Sequence, residues 1–468
     1  MKSSASPTRI LADFIVNTVY GDLPASAINI ARTSIIDGIG ACLAGADSPV
    51  GRIITDYIGE GERTPEATVI ARGFKTRAAE AALANGTMMH ALDYDDCAET
   101  FLGHPTTVIL PAVLALGESE GISGKEALLA YILGYDVGSR MGTGLGPAHY
   151  DVGWHGTATV GTLAAAAAAA RILRLDVPQT SMALGIAASL AGGLRQNFGT
   201  MTKPLHAGNA ARNGVFAASL ARQGFTADRH ILESPFGYVK VFGGTAAADP
   251  GEVTGNLGAP FEIVANPPII KLYPSCRATA GCIDAILHLV KANNINAGDV
   301  AEVECRTSSH TPRVLIHSMP RTALEGKFSL QYCMAVALAD KEVGLAQFTD
   351  QRVRDPEIRE MFGRVKYVHP PEMGSGPADS MRGRVEVVLK LKNGADVSRL
   401  VEAARGDPEN PLTVEELQTK FLDCAQLVFS PRDARQILDT IAALDTLDDI
   451  SDLTGLLCQP SGSGRTPG

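Results

Sequence analysis

The amino-acid sequence predicts a mainly α fold: a large all-helical domain with a smaller α+β domain inserted into it. Three observations lead there. Apolar residues keep a three-to-four spacing through much of the first 266 positions. Between about 267 and 405 that period gives way to the alternation of half-buried strands. Helical spacing then returns as far as about 457. Composition agrees, since only 5% of the residues are aromatic, while Ala is abundant and Gly numbers 48. Small side chains let helices approach closely, and 468 residues suffice for more than one core.

The elements follow in order. Leu11, Phe14, Ile15, Thr18 and Val19, then Ile28, Ala31, Ile35, Ile39 and Leu43, mark two helices between about Ile10 and Asp47. Ala67 to Arg72 reads as a short extended piece, and a helix follows from Arg77. Ser123 and Glu126 form a capping box before a helix expected from Gly124 to Arg140. The next residues, MGTGLGP, look like a phosphate loop. Pro147 stands where the third glycine belongs and no strand pattern precedes it, so nucleotide binding is not expected. Helices from Thr157 to Arg174, Gln179 to Gly192 and His206 to Gln223 suggest a bundle.

In the inserted domain, Val300, Val303 and Cys305 suggest a strand. Val385, Val387, Leu389 and Leu391 alternate with Glu386, Lys390 and Lys392, and Asn393-Gly394 supplies a hairpin turn before a return from Asp396 to Val401. A capping box at Thr413 to Glu416 and the pair Ser430-Pro431 then start helices, the second striped by Ile437, Ile441, Leu444 and Leu447. These most simply rejoin the N-terminal bundle. The expected boundaries are 8–266 with 406–457 for the helical domain, 267–405 for the α+β domain and 458–468 for a disordered tail.

A net charge of −10 argues against nucleic acid as a partner, but a local cluster of cations could still hold an anionic small molecule. The eight cysteines show no CxxC spacing and read as free thiols of a reducing compartment, hence the cytoplasm. The start MKSSASPTRI lacks the apolar core of a secretory signal. The Ala-rich run Thr162 to Arg171 is too short and too weakly apolar to span a membrane.

The densest chemistry lies in Gly86–Pro105, GTMMHALDYDDCAETFLGHP, which carries His90, Asp93, Asp95, Asp96 and His104. Neighbouring carboxylates and imidazoles suit proton transfer, although a helix end with solvated Asp residues and a core His would look the same. Three further places stand out. Gly153-Trp154-His155-Gly156 sets a His beside the only Trp, at the mouth of an Ala-rich helix. Lys203, in TKPLH, is the only lysine between Lys125 and Lys240. Lys271, in IIKLYPSCR, sits at the expected domain junction, where binding sites are common. No HExxH, HxH or Cys/His ligand spacing appears, so no metal is expected.

HALDYDD with His104-Pro105 beyond it, GWHGTATVGTLAAAA, GTMTKPLHAGNAARNG and KLYPSC together resemble the MmgE/PrpD family over nearly the whole chain. That family includes 2-methylcitrate dehydratase, cis-aconitate decarboxylase and iminodisuccinate epimerase. The resemblance implies a helical domain with an inserted α+β lid domain, a homodimer, no metal or organic cofactor, and a small anionic carboxylate as substrate. It implies Asp93, His104, His155, Lys203 and Lys271 as catalytic residues. His206, Cys97, Tyr273, Cys276 and Arg277 are expected to bind substrate. Cys276 stands where the animal decarboxylase has a His, and Thr106-Thr107-Val108 stand where methylcitrate dehydratases have Ser-Asp-Asn.

On this reading Lys203 and Lys271 clamp carboxylates, His104 and His155 serve as acid and base, and Asp93 orients an imidazole. His90, Asp95 and Asp96 fall to supporting or capping roles. The leading expectation is a lyase dehydrating a 2-methylcitrate-like acid. The alternatives are an epimerase of an iminodisuccinate-like acid, a cis-aconitate-type decarboxylase and, from another class, a non-catalytic helical binding protein. The intact five-residue set argues against the last.

Overall fold

The computed structural model describes residues 6–60, 64–376, 379 and 382–458. The expected disordered tail, Cys458 apart, lies outside the described residues. The described chain is mainly helical, with one two-stranded and one four-stranded sheet.

Local signals explain where elements begin. The Ser123 hydroxyl accepts from the Glu126 N–H while the Glu126 carboxylate accepts from the Ser123 N–H, so the capping box forms as the sequence suggests. The helix behind it does not stop at Arg140 but continues to Asp151, through MGTGLGP. It kinks at Gly146 (φ 67°, ψ 178°), and Pro147 starts the turn beyond. Close packing outweighs weak helix propensity here, because a Cβ on Gly142 would lie 2.1 Å from the Thr100 carbonyl oxygen.

Two apolar cores result. The first gathers buried residues from Leu11 to Ile270 and again from Leu417 to Leu457. The second runs from Tyr273 to Ala404. In the second, strands Val365–Val368, Val300–Arg306, Val385–Leu391 and Asp396–Val401 lie side by side in that order. Val303 pairs in parallel with Val365 and antiparallel with Leu389, and Val385 pairs antiparallel with Val401. The strand Val365–Val368 has no alternating pattern long enough to read from sequence. The Ala280–Asn293 helix covers one face of the sheet.

The Ala25–Ala46 helix is long and apolar enough by composition to cross a membrane, yet 72% of that window is buried inside the molecule. It acts here as a core helix.

At the centre, the Ala78–His90 and Thr202–Arg222 helices cross with their backbones in contact. A Cβ on Gly208 would lie 2.2 Å from the Leu83 carbonyl oxygen, and one on Gly86 would lie 2.9 Å from the Gly208 Cα. Only glycine permits that approach. It sets His90, one turn beyond Gly86, beside the first turn of the Thr202–Arg222 helix.

The junction between the cores is polar and buried. Cys97 and Ile269 exchange backbone hydrogen bonds of 3.1 and 2.8 Å. Lys420 donates to Asp37 Oδ1 at 2.5 Å, the Lys271 carbonyl at 2.6 Å and the Tyr94 carbonyl at 2.8 Å, so all three of its N–H groups are engaged. Lys327 donates to the Leu92 and Pro274 carbonyls at 2.7 and 2.8 Å.

Candidate active site

Past the Ala78–His90 helix the chain reverses at Asp93, whose φ of 53° is a left-handed conformation that Asp tolerates better than most residues. The turn brings its carboxylate to two lysines. Asp93 Oδ1 accepts from Lys271 Nζ at 2.7 Å and from Lys203 Nζ at 3.1 Å. Lys271 also donates to the Asp93 carbonyl at 3.0 Å, and Lys203 to His90 Nε2 at 2.8 Å. Each ammonium has three N–H donors, so each retains one without a partner among the described residues. Asp93 Oδ2 is buried and also unpartnered.

The imidazoles are held in defined tautomers. His90 Nδ1 lies 2.9 Å from both Asp95 carboxylate oxygens and therefore carries the proton, leaving Nε2 to accept from Lys203. His104 Nδ1 lies 2.7 Å from the Asp96 carbonyl oxygen, which can only accept, and 3.1 Å from Asp95 Oδ2. In neutral His104 the bare nitrogen is consequently Nε2, 3.7 Å from Asp93 Oδ1. His155 shares a 3.0 Å Nδ1–Nδ1 hydrogen bond with His206, and its buried Nε2 has no partner among the described residues.

Burial and neighbouring cations keep these rings neutral. Burial pushes His90 down to about 4, against the opposing pull of Asp95. Burial likewise lowers His104, lowers His155 well below its ordinary value, and takes His206 to about 4. Burial alone would raise the Asp93 carboxyl, but Lys203 and Lys271 outweigh it and hold it well below the usual carboxylate range. Asp95 is held well below as well, burial being outweighed by His90 and His104. Burial alone would lower Lys271, and Asp93 beside it raises it instead.

Five of these residues, Asp93, Lys203, Lys271, His104 and His155, line a cavity of about 370 Å³. Three helices begin at its wall: Gly156–Ile172 behind His155, Thr202–Arg222 at Lys203, and Ala280–Asn293 with the short turn Arg277–Thr279 before it. Helix N-termini carry partial positive charge, which favours an anionic ligand. Phe198 and Phe328 supply apolar wall beside Lys203.

Among the expected binding residues, Cys97, Cys276 and Arg277 line the cavity. His206 stands behind His155, outside the lining. Tyr273 is a correction: it does not line the cavity. The bends after Lys271 turn its ring away, and its hydroxyl donates to Asp284 Oδ1 at 2.5 Å. Burial raises both the Cys97 thiol, to about 12, and the Cys276 thiol, so neither is an activated nucleophile.

His90 belongs nearer the centre than the sequence suggests, as the link between Lys203 and Asp95. His310, which no motif marks, lines the cavity with its Nε2 buried and without a hydrogen-bond partner among the described residues. Its only sequence signal is a polar residue ahead of Thr311-Pro312.

His90, Asp93, Asp95 and His104 offer ligand atoms within 4.8 Å of one another. Those atoms do not suit a cation. Asp93 Oδ1 accepts from two ammoniums, His90 Nε2 accepts from one of them, and Asp95 accepts from two imidazoles. A metal ion would have to displace both lysines.

Comparison with known proteins gives the site a context. Residues 9–250 match the model of the MmgE/PrpD N-terminal domain, and residues 273–446 match that of the MmgE/PrpD C-terminal domain. The chain is 30% identical over 466 residues to a cis-aconitate decarboxylase of Aspergillus terreus (strain NIH 2624 / FGSC A1156), covering 95% of this chain and 94% of that protein. It is 28% identical over 481 residues to the cis-aconitate decarboxylase of Mus musculus, covering 97% and 94%. With that of Homo sapiens it shares 28% identity over 472 residues, covering 97% and 95%.

Proposed function

The chain belongs to the MmgE/PrpD family, and on that premise we propose that it is a cofactor-independent lyase releasing carbon dioxide from a small unsaturated tricarboxylate of the cis-aconitate type. The observation that carries this reading is the convergence, on one cavity, of two lysines with one unengaged N–H each and a His104 whose Nε2 is bare. In such a reaction the bond to the departing carboxylate breaks and its electron pair forms the new double bond. The pair of the old double bond takes a proton at its far carbon. Negative charge accumulates next to a second carboxylate, where Lys203 and Lys271 are placed to hold it in a water-poor site. A bound polyanion raises the proton affinity of His104, which can then carry the proton to carbon, with His155 facing from another wall.

Dehydration of a 2-methylcitrate-like acid and epimerisation of an iminodisuccinate-like acid use the same proton transfer. Full-length similarity to several cis-aconitate decarboxylases favours decarboxylation. One experiment separates the three: incubation with each acid in D₂O, followed by NMR. Carbon dioxide with a new deuterated methylene supports the proposal. A new alkene from the hydroxy acid without carbon dioxide replaces it with dehydration, and deuterium exchange alone replaces it with epimerisation.

A further inference from the structure

The lysine pair leaves one wall of the cavity unexplained. Arg277 lies on that wall in the turn Arg277–Thr279, just ahead of the Ala280–Asn293 helix. Its side chain is only 4% exposed. Its Nη2 meets Asp407 Oδ1 at 2.5 Å, while Nε and Nη1 have no hydrogen-bond partner among the described residues. Buried guanidinium donors left unmade are costly, and native proteins rarely keep them without a use. Its neighbours Cys276 and Ala278 line the same cavity, so the start of the helix adds its own positive end.

We propose that Arg277 and this helix start form a second carboxylate subsite, separate from the Asp93–Lys203–Lys271 group, that receives the substrate's central carboxylate, the one that neither departs nor flanks the carbon taking the proton. The inference rests on the polycarboxylate reading above and makes Arg277 a specificity-determining residue. Lys203 and Lys271 hold the end that takes the proton, and the Asp407 carboxylate pairs with the guanidinium through Nη2. A guanidinium presents donors in a fixed planar fork, which suits a carboxylate better than a flexible ammonium would.

The test is binding of unreactive acids, measured by titration calorimetry on the full chain. The probes are tricarballylate and glutarate, which has the same chain without the central carboxylate. The wild type is expected to prefer tricarballylate by roughly 10- to 100-fold, as one charged hydrogen-bonding contact allows. Arg277→Met is expected to abolish that preference while leaving glutarate affinity unchanged. Should Arg277→Met fail to fold, Arg277→Lys decides the matter, because it keeps the charge facing Asp407 and removes the planar donors; it is expected to lose most of the preference. A wild-type preference in the folded variant, or no preference in the wild type, overturns the subsite. Neither acid is turned over, so this result is independent of the D₂O assay. A protein that fails that assay yet shows the preference overturns only the decarboxylase reading.

Discussion

Lys203 Nζ sits 2.8 Å from His90 Nε2, and both groups are buried. The ring accepts from the lysine only because Asp95 holds its proton on the opposite nitrogen. His90 is thus a positioning residue for a lysine that faces the cavity. Replacing it with Asn should lower kcat about 10- to 100-fold, the usual range for partners that orient a functional group. The acid limb of the kcat–pH profile should move as well. A purely structural role would lower the melting temperature and leave that limb in place.

Asp93→Asn removes the charge shared by Lys203 and Lys271. It leaves two buried ammoniums with only neutral oxygen acceptors in place of the carboxylate. Urea unfolding at pH 7 should show a loss of about 3–5 kcal/mol, the range for breaking a buried ion pair from one side. Loss of activity with unchanged stability would contradict the pairing.

Acid should weaken the fold from near neutrality downwards. His90 titrates at about 4 in the folded chain, against about 6.5 when free. Between those values the unfolded chain binds a proton that the folded chain refuses, so stability falls as pH falls, by about 3 kcal/mol for this ring. Asp93, held below its ordinary range, contributes stability that is complete above about pH 4 and is lost below it. Urea midpoints at pH 7, 5.5 and 4.5 should fall in that order; a flat series would exclude the neutral-His90 assignment.

Ligand binding should take up protons. His104 and His155 are depressed mainly by burial, with nearby lysines adding to the effect. A polyanion in the cavity offsets the lysines. Calorimetric titration of tricarballylate at pH 7 in buffers of different ionisation enthalpy should report uptake of a sizeable fraction of a proton. Zero uptake would mean that the imidazoles keep their state when the site fills.

Gly208→Ala probes the helix crossing. Its Cβ would lie 2.2 Å from the Leu83 carbonyl oxygen and from Thr87 Oγ1, so the helices must separate. A loss of about 1–3 kcal/mol in urea unfolding is expected, as for other overpacked cores. Activity should fall further than stability, because Lys203 moves away from His90.

Much of this architecture is legible in the residues themselves. Period and capping mark most helices and the Val385–Val401 hairpin, and the oddity of a lone Lys203 in an arginine region points to its place. What is not legible depends on partners distant in sequence. His90 looks like the end of an apolar helix until Lys203, 113 residues later, packs against it. Lys327 and Lys420 leave no motif, because backbone carbonyls are most of their acceptors and no side-chain type marks those. Tyr273 is misjudged for the opposite reason: adjacency to Lys271 says nothing about direction once the chain bends.

Lys420 also gives the molecule an order of completion. As the chain leaves the ribosome, the residues at 90–104, 155, 203 and 271 emerge long before residue 420. Until then the carbonyls of Tyr94 and Lys271 and the carboxylate of Asp37 lack the cation that ties them together. A nascent chain halted short of the Val414–Ala425 helix would carry every described residue that faces the cavity and still lack this brace behind Lys271, so activity would wait until that helix has been made.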